Sequence, residues 1–439
     1  MSKKTIIAPS TPTGISALAV IRLSGPDCGW LVQNILKKAI VPNKMLYCEL
    51  KDPESGRLLD HLMYCYMPGP KTFSGEDCLE LFCHGNPLIV RDLVQCFLKT
   101  DYVRMAEPGE FSRRAFENNK MDLLQTEGLG RLIHASSEKE LTSAKSILKG
   151  LLSERVGELS ERIKNISVHL ELEMDFAEEE TDADISIWSH KLEEIQKDIS
   201  YLIEQCETED KAGHIPAVVL CGKPNAGKSS LINALLKEER ILVSEQAGTT
   251  RDYVETRLFL EAGEIRLIDT AGLSEQPVNE LDRLSMEKSR AVLKTADLII
   301  ATQDGTDPSG GLNLIMDNQT PVIHVNLKSD LPSFKPQPGF IEISSLKGDG
   351  LDTLRQRISE ILFKETSEAK WIINQREAGH LKEAILAVQK ALEMARVGGH
   401  AELLAFEIQQ IRFALASVTG EITPDDILKE IFSGFCIGK

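Results

Sequence analysis

The spacing of apolar positions changes along this chain, and each change marks a different architecture. Over residues 1–118, short apolar runs such as Ala17–Leu23, Leu62–Tyr66 and Cys78–Cys83 alternate with Gly and Pro punctuation. With a helical stretch expected near Cys28–Ala39, this part reads as α/β. From 120 to 212 the pattern becomes helical. Leu152, Val156, Leu159, Ile163, Ile166 and Leu170 recur at spacings of four and three, a continuous stripe down one helix face. The stripe runs into Glu171–Asp184, whose eight carboxylates predict a solvated face or loop. Residues 215–363 return to short runs, with strands expected at Ala217–Leu220, Thr256–Leu260, Ile265–Ile268, Leu298–Ala301, Val322–Val325 and Phe340–Ile343. Helical pattern resumes near 366 and continues to the end, without Gly/Pro clusters inside Glu402–Ser417.

Two helical blocks around an α/β module predict that the module is inserted into one discontinuous helical domain. Two independent helical domains would give the same pattern. The expected boundaries are 1–118, 119–213 (helical, first part), 214–363 (nucleotide module) and 364–439 (helical, second part). A length of 439 residues accords with two to three domains, and 42% hydrophobic residues is ordinary for a soluble globular chain.

Composition narrows the setting. No apolar run approaches a membrane span, and Met1–Ser10 lacks a signal-peptide core. Nine cysteines without a C-x-x-C pair suggest neither a zinc site nor a disulfide framework, so a reducing cytoplasm is expected. The net charge of −17 argues against nucleic-acid binding driven by overall charge, though not against a local basic face. Arg104, Arg113, Arg114, Lys120 and Arg131 cluster in sequence, but Glu107, Glu110, Glu117 and Asp122 interleave with them, which is the pattern of a mixed-charge surface.

Chemistry is written most plainly at residues 217–235, where an apolar strand leads into G-x-x-x-x-G-K-S and then an amphipathic helix. That order is the context of a phosphate-binding loop. Gly222 and Gly227 let successive N–H groups turn inward, Lys228 can reach terminal phosphates, and Ser229 can ligate Mg²⁺ at a helix N-terminus. D-T-A-G (Asp269 to Gly272) follows a strand, where a carboxylate can hold Mg²⁺ through water and the Gly272 N–H can sense a γ-phosphate. A-G-T-T-R-D (Ala247 to Asp252) lies between them and offers Thr250 as a switch ligand. In this order the set points to a guanine-nucleotide switch.

Three departures qualify that switch. Leu273 stands where Ras-like enzymes place a water-orienting Gln, so hydrolysis must be organised differently. Asn225 offers a neutral oxygen where K⁺ could sit beside the phosphates and supply the charge of an arginine finger; a loop-stabilising hydrogen bond is the equal alternative. In the base-recognition stretch Val325–Asp330, Lys328 and Asp330 fit N-K-x-D, but Leu327 replaces the Asn and Asn326 comes one place early. Asp330 should still select guanine, and Ser344-Ser345-Leu346 resembles the loop that closes over the base.

The tail I-F-S-G-F-C-I-G-K (Ile431 to Lys439), with P-G-E-F-S-R-R-A-F-E-N-N-K-M-D-L (Pro108 to Leu123) and the nucleotide module, closely resembles the MnmE/TrmE family of tRNA uridine 5-carboxymethylaminomethyl modification GTPases. The likeness extends through T-P-T-G and V-I-R-L-S-G-P (Thr11 to Pro26), F-S-G-E-D-C-L-E-L-F-C-H-G (Phe73 to Gly85) and G-E-I-T-P-D-D-I-L (Gly420 to Leu428), essentially the whole chain. The resemblance implies a multidomain α/β architecture: an α+β N-terminal domain that binds 5-formyl- or methylene-tetrahydrofolate and dimerises, a helical domain presenting the Cys tail, and an inserted Ras-like P-loop G domain whose copies meet when K⁺ and GTP bind.

The resemblance also distributes roles. Folate contacts fall on Arg22, Glu80, Lys120 and Lys439. GTP contacts fall on Asn225, Ala226, Gly227, Lys228, Ser229 and Ser230, on Ser244, Glu245, Gln246, Ala247, Gly248, Thr249 and Thr250, on Asp269, Thr270, Ala271 and Gly272, and on Lys328, Asp330, Ser344, Ser345 and Leu346. Potassium falls on Asn225, Ser244, Gln246 and Thr249, and magnesium on Ser229 and Thr250, with Ser244 standing where Thr is common. The family's water-positioning Glu aligns with Asp282, a methylene shorter, and Glu280 is the alternative. Cys436 is expected near the modification chemistry, either reacting or simply buried. Arg113 and Arg114 become candidates for folate or tRNA contact.

The implied activity is a K⁺-dependent GTPase cycle, run as a homodimer with an FAD-dependent MnmG/GidA-type partner, that modifies the wobble uridine of certain tRNAs. FAD enters only through that partner, and no membrane is involved. The rival from another class is an Era/EngA-like ribosome-assembly switch without modification chemistry, which leaves the N-terminal block and the tail unexplained. A nucleotide-binding scaffold without turnover is a second rival, motivated by Leu327 and Asp282.

Overall fold

The computed structural model describes residues 4–175, 186–209, 215–223, 225–237, 254–269, 292–307, 320–363, 369–397, 401–435 and 438. The chain forms two compact units: Met1–Ile133 with Ala144–Cys206 and Ile373–Lys439, and His134–Ser143 with Glu207–Ile372.

The first unit begins with a six-stranded sheet: β1 (Thr5–Pro9), β2 (Ser16–Ser24), β3 (Met45–Lys51), β4 (Leu58–Met67), β5 (Cys78–Gly85) and β6 (Val103–Met105), in the order β3-β4-β5-β2-β1-β6. Its neighbours are antiparallel except β1 and β6. Ile7, Ile21, Leu23, Leu62, Tyr64, Leu79 and Leu81 pack with Leu31 and Val32 of helix Cys28–Asn34 and with Leu93 and Phe97 of helix Pro87–Leu98. The second helix starts cleanly because the Asn86 side chain accepts the Leu88 N–H and Pro87 occupies its first position. Ile6 and Ala8 pack separately with Ala106 and with Phe111 of helix Glu110–Glu117. Strand β1 is thus buried on both faces and shows no alternation; β3 exposes Met45 and Tyr47 while burying Cys48 and Leu50. The first helix stops at Asn34, short of the expected Ala39, and Lys37 adopts a left-handed φ of 54°.

The predicted stripe is the buried face of helix Leu151–Asp175, none of its six residues more than 5% exposed. That helix packs against helices Ser186–Glu204 and Ala401–Thr419, and helix Gln375–Val397 packs against those two. Leu192, Ile199, Leu381, Val388, Leu404, Ile408 and Leu415 are buried with it. Each contributes about 1.5–3 kcal/mol by leaving water. Part of the acidic segment, residues 176–184, lies outside the described residues. The helical pattern expected from 366 is preceded by a short strand, Trp371–Ile373, which pairs with Cys206–Thr208.

The second unit holds a six-stranded sheet: β8 (Ala217–Gly222), β9 (Val254–Leu260), β10 (Gly263–Asp269), β11 (Leu298–Asp304), β12 (Val322–Leu327) and β13 (Ile341–Ile343), β7 and β14 being the short Cys206–Thr208 and Trp371–Ile373. The order is β13-β12-β11-β8-β10-β9, parallel except for β9. All six expected strands are present, several running further toward their carboxyl ends. Helices Lys228–Lys237 and Leu351–Leu362 bury Leu231, Leu235, Leu354 and Ile358 with the sheet. Residues 134–143, inside the segment expected to be helical, contribute here: the Glu264 N–H donates to the Ser136 carbonyl at 2.6 Å, and the Glu138 N–H to that of Ala262 at 3.1 Å.

An ion network lies within the first unit. Glu377, 0% exposed, accepts from Arg131 Nη2 at 2.7 Å and from the Asn374 N–H at 2.9 Å. Glu127 accepts from Arg376 Nη2 at 2.7 Å and Asn374 Nδ2 at 2.8 Å, while Arg376 Nη1 donates to the Ser417 carbonyl at 2.6 Å. Burial pushes the Glu377 carboxyl up to about 8 against the pull of Arg131, with Glu127 adding to the rise. Burial also acts upward on Glu127, but Arg376 outweighs it and holds that carboxyl below the ordinary value. A proton on Glu377 therefore lets two carboxyls share one buried site.

The sign follows from linkage. Unfolded Glu377 ionises near its ordinary pH, whereas the folded group keeps its proton, so its contribution to stability is fullest in mild acid and is lost as pH rises toward 8. We predict that the unfolding free energy, from denaturant titrations followed by far-UV circular dichroism, falls between pH 5.5 and 8 for the native chain, by up to about 1.4 kcal/mol per pH unit. Glu377→Gln, whose amide can donate to Glu127 and whose carbonyl can accept from Arg131, should flatten that slope. An unchanged slope in the variant would refute the assignment.

Candidate functional site

The carboxyl ends of the parallel strands gather those of the predicted nucleotide residues that are described, as expected for a crevice at the carboxyl edge of such a sheet. Strand β8 is buried along its whole length and ends at Gly222, where a Cβ would stand 2.2 Å from Thr302 Oγ1. Gly227 takes φ +105° and Asn225 φ +63°, the left-handed turns that bring loop N–H groups inward. Ala226 is buried beneath the turn. The Leu231 N–H then donates to the Gly227 carbonyl at 3.0 Å, opening the helix.

Lys228 is 8% exposed, and its Nζ donates to the carbonyls of Gly222 and Lys223, each at 3.0 Å. Burial lowers its ammonium from the ordinary value, and Asp269 opposes that shift. Ser229 Oγ donates to Asp269 Oδ2 at 3.4 Å. Asp269 Oδ1 is buried without a hydrogen-bond partner among the described residues. Burial raises the Asp269 carboxyl, with Lys228 and Ser229 pulling the other way. Two adjacent hard oxygens, one orphaned, fit a magnesium ion.

The base side joins the same constellation. Lys328, at φ +67°, donates through Nζ to the Asn225 carbonyl at 3.3 Å and to Asp304 Oδ2 at 2.5 Å. Asp330 Oδ1 accepts from Ser344 Oγ at 2.8 Å; Ser344 is buried, Ser345 is half-buried and Leu346 is exposed. A hydrogen-bonded chain thus runs from Asp269 through residues 225–230 to Lys328, while a second contact fastens Asp330 to the 344–346 loop. The displaced asparagine does not substitute for its missing counterpart. Asn326 is fully buried, its Nδ2 on the Lys335 carbonyl at 3.0 Å, while the Leu327 side chain lies 3.4 Å from where a Cβ on Gly227 would stand. Sequence reading missed Asp304, whose signal is a carboxylate ending a parallel strand just before Gly305.

Ser244, Glu245, Gln246, Ala247, Gly248, Thr249, Thr250, Thr270, Ala271, Gly272, Glu280, Asp282, Cys436 and Lys439 lie outside the described residues. Of the proposed potassium ligands, Asn225 alone is described.

In the N-terminal sheet, Arg22 and Glu80 stand directly opposite each other on β2 and β5, with Arg22 Nε to Glu80 Oε1 at 2.9 Å. The guanidinium lies 5.7 Å from the centre of the Phe73 ring and 6.0 Å from that of Phe111. Lys120 Nζ donates to the Pro70 carbonyl at 2.9 Å. Arg22 and Glu80 remain 24% and 19% exposed, so the paired edge stays open to a ligand.

The basic cluster is not a free face. Arg114 is 3% exposed and holds Glu76 and Glu110 together with the carbonyls of Ser24 and Lys4, which removes it as an external folate or tRNA contact. Arg104 pairs with Glu110, Arg113 with Glu117 at 2.9 Å, and Arg131 with Glu377. A cleft of about 490 Å³ beside them is lined by both signs of charge, Arg104, Arg113 and Lys429 with Glu107, Glu110 and Glu117.

The carboxyl-terminal tail is seated on the same unit. Phe432 and Phe435 pack around Gly109, and Phe435 also approaches Gly130. Gly438, at φ +97° and buried, accepts a hydrogen bond from Ser10 Oγ at 3.2 Å.

Comparison with known proteins covers nearly the whole chain. A family model described as the MnmE helical domain matches residues 123–436, and one described as the GTP-binding protein TrmE N-terminus matches residues 5–120. The tRNA modification GTPase MnmE of Bordetella parapertussis is 36% identical over 446 residues, covering 99% of each chain. That of Haemophilus influenzae is 35% identical over 456 residues, covering 100% of each. Among solved structures, Era from Aquifex aeolicus bound to GDP and AlF4⁻ is 28% identical, covering 39% of this chain and 66% of that one, with a TM-score of 0.28.

The tail seat has a steric test. A Cβ on Gly438 would stand 2.2 Å from the Pro9 carbonyl oxygen, closer than real contacts allow. Gly438→Ala should therefore unseat this segment and raise amide hydrogen exchange at Phe435 at least about fivefold. Equal exchange in both proteins would show that the seat does not form in solution.

Proposed function

This chain belongs to the MnmE family of tRNA modification GTPases, and on that premise we propose that it hydrolyses GTP in the loop of residues 225–230 and couples that cycle to wobble-uridine modification. The observation that carries the reading is Lys228, a buried ammonium whose hydrogen bonds among the described residues go to carbonyl oxygens, within a loop of inward-turned peptides. Phosphate oxygens would replace those carbonyls as its partners, giving charge-assisted hydrogen bonds in a desolvated site.

Ser229 and Thr250 are the proposed Mg²⁺ ligands, with Asp269 orienting the ion's shell; magnesium would neutralise charge developing on the β- and γ-phosphates. Asn225, Ser244, Gln246 and Thr249 are the proposed K⁺ ligands, supplying the positive charge an arginine finger supplies elsewhere. Ala226, Gly227 and Ser230 would add loop and helix N–H groups, and Thr270, Ala271 and Gly272 the γ-phosphate contact. Residues 245–248 would complete the switch. Lys328 and Asp330 would take the guanine, with residues 344–346 over it. Asp282, or Glu280 in its place, would orient the attacking water.

The finer parts of the proposal concern the remaining domains. Arg22, Glu80, Lys120 and Lys439 would bind a tetrahydrofolate one-carbon donor; the aromatic-flanked Arg22–Glu80 ion pair supports this by presenting donor and acceptor side by side. A homodimer would bring the G domains together. An FAD-dependent MnmG/GidA-type partner and tRNA would complete the reaction, with Cys436 near it, in the cytoplasm. No helix among the described residues is long and apolar enough to cross a membrane.

Purified protein is expected to turn over GTP at least about tenfold faster in K⁺ than in Na⁺, the scale of one electrostatic stabiliser. Asp282→Ala or Glu280→Ala should abolish that turnover without weakening nucleotide binding. A deletion strain should lack the modified wobble nucleoside by mass spectrometry. Normal modification there would favour a ribosome-assembly switch, and hydrolysis under neither cation a binding scaffold.

A further inference from the structure

We infer that Asp304 is a positioning residue that clamps the guanine-recognition loop to the phosphate loop through Lys328, linking nucleotide retention to the geometry at Asn225. The inference rests on the GTP reading of the loop and adds a residue that the family motifs above leave out. Lys328 Nζ bridges two acceptors, Asp304 Oδ2 at 2.5 Å and the Asn225 carbonyl at 3.3 Å. One cation thereby ties the end of β11 to the phosphate loop while its own backbone begins the base loop.

Asp304 is itself built in. Its Oδ1 accepts from the Thr306 N–H at 3.0 Å and Thr306 Oγ1 at 2.7 Å, leaving Oδ2 for Lys328. The next residue, Gly305, donates its N–H to the Leu327 carbonyl at 2.9 Å and accepts from the Lys335 N–H at 2.8 Å. A Cβ there would meet the Phe334 ring at 2.3 Å, so the two strand ends can be stitched this closely only through glycine. Burial alone would raise the Asp304 carboxyl; Lys328 and the Thr306 hydrogen bonds outweigh it and hold the group ionised.

The clamp matters because of Leu327. An asparagine at that position would offer an amide for polar attachment to the neighbouring loop, whereas Leu327 gives only apolar contact beside Gly227. Asn326 is committed to Lys335 and Gln303. Directional attachment between the two loops therefore passes through Lys328, and Asp304 sets where Lys328 points. Its far end is the peptide of Asn225, the residue whose side chain is the proposed K⁺ ligand, so loosening the clamp disturbs the base pocket and the cation site together.

The test is release of a fluorescent GDP analogue from the full-length protein, by stopped flow in K⁺ and in Na⁺, for wild type, Asp304→Asn, Lys328→Met and the double variant. Loss of one charge-assisted contact should speed release about tenfold in either single variant. Because both act through one strut, the double should be no faster than the faster single within about twofold. The K⁺ concentration giving half-maximal GTP turnover should rise at least about threefold in Asp304→Asn, a shift that general loosening of the fold would not produce. Thr306→Val, which removes one bond orienting Asp304, serves if Asp304→Asn fails to fold and should speed release about threefold. Wild-type release from Asp304→Asn, or multiplied effects in the double, overturns the inference while the GTP reading stands. No binding by wild type overturns the GTP reading itself.

Discussion

A lysine ammonium enclosed by protein, with main-chain carbonyls as its hydrogen-bond acceptors, is the constraint around which the second unit is organised. Desolvating a cation is costly unless its surroundings return what water supplied. Gly222 and Lys223 turn their carbonyls inward to do this, and the loop can supply them only because β8 ends at a glycine packed against Thr302. Dipoles are a partial substitute for a counter-charge, and Asp269 pulls the ammonium upward without cancelling the cost of burial. The site is therefore electrostatically incomplete. An anion with several oxygens, accompanied by a divalent cation for the orphaned Asp269 oxygen, would satisfy both defects at once.

Legibility in the sequence followed physical regularity. Parallel strands buried on both faces, β8 above all, read as uninterrupted apolar runs; all six strands of the nucleotide sheet were located, and the last residues of β8, β10, β11 and β12 escaped because most of them turn polar where they meet the crevice. The helix stripe from Leu152 to Leu170 was legible because one face is dry and the other wet. Strand β3 was not, because exposed Met45 and Tyr47 break the alternation that its buried Cys48 and Leu50 would otherwise have shown. The phosphate loop, Asp269 and the 328–330 pair could be placed from motif order. Asp304 could not, since nothing local distinguishes a strand-ending aspartate that holds a lysine from one that caps a turn; here it does both.

Charge was the least readable property. Five basic residues close in sequence invited a binding face, yet Arg114 is buried among Glu76, Glu110 and two carbonyls, and Arg131 goes to Glu377. Interleaved acids were the available sign of this. What no spacing rule could supply is that Glu127 and Glu377, 250 positions apart by number, would share a buried site in which one keeps its proton. Such a network contributes less to stability than apolar packing of the same volume, but it specifies which helix ends meet, because each member is unsatisfied in any other register.

The same reasoning bears on the irregular base motif. Replacing a polar residue by Leu327 under the phosphate loop exchanges a directional hydrogen bond for apolar contact with no preferred angle. Packing of that kind tolerates small rotations, and guanine recognition by a single carboxylate does not, because two hydrogen bonds must be met in one plane. Orientation then has to come from elsewhere. The Ser344 hydroxyl restrains Asp330 from one side, and Lys328, pinned between Asp304 and Asn225, restrains the backbone from the other. On the proposed reading, the departure from the usual motif would leave Asp330 free to take the guanine and would move its mechanical support onto the Asp304–Lys328 salt bridge, from the purine end of the pocket to the phosphate end.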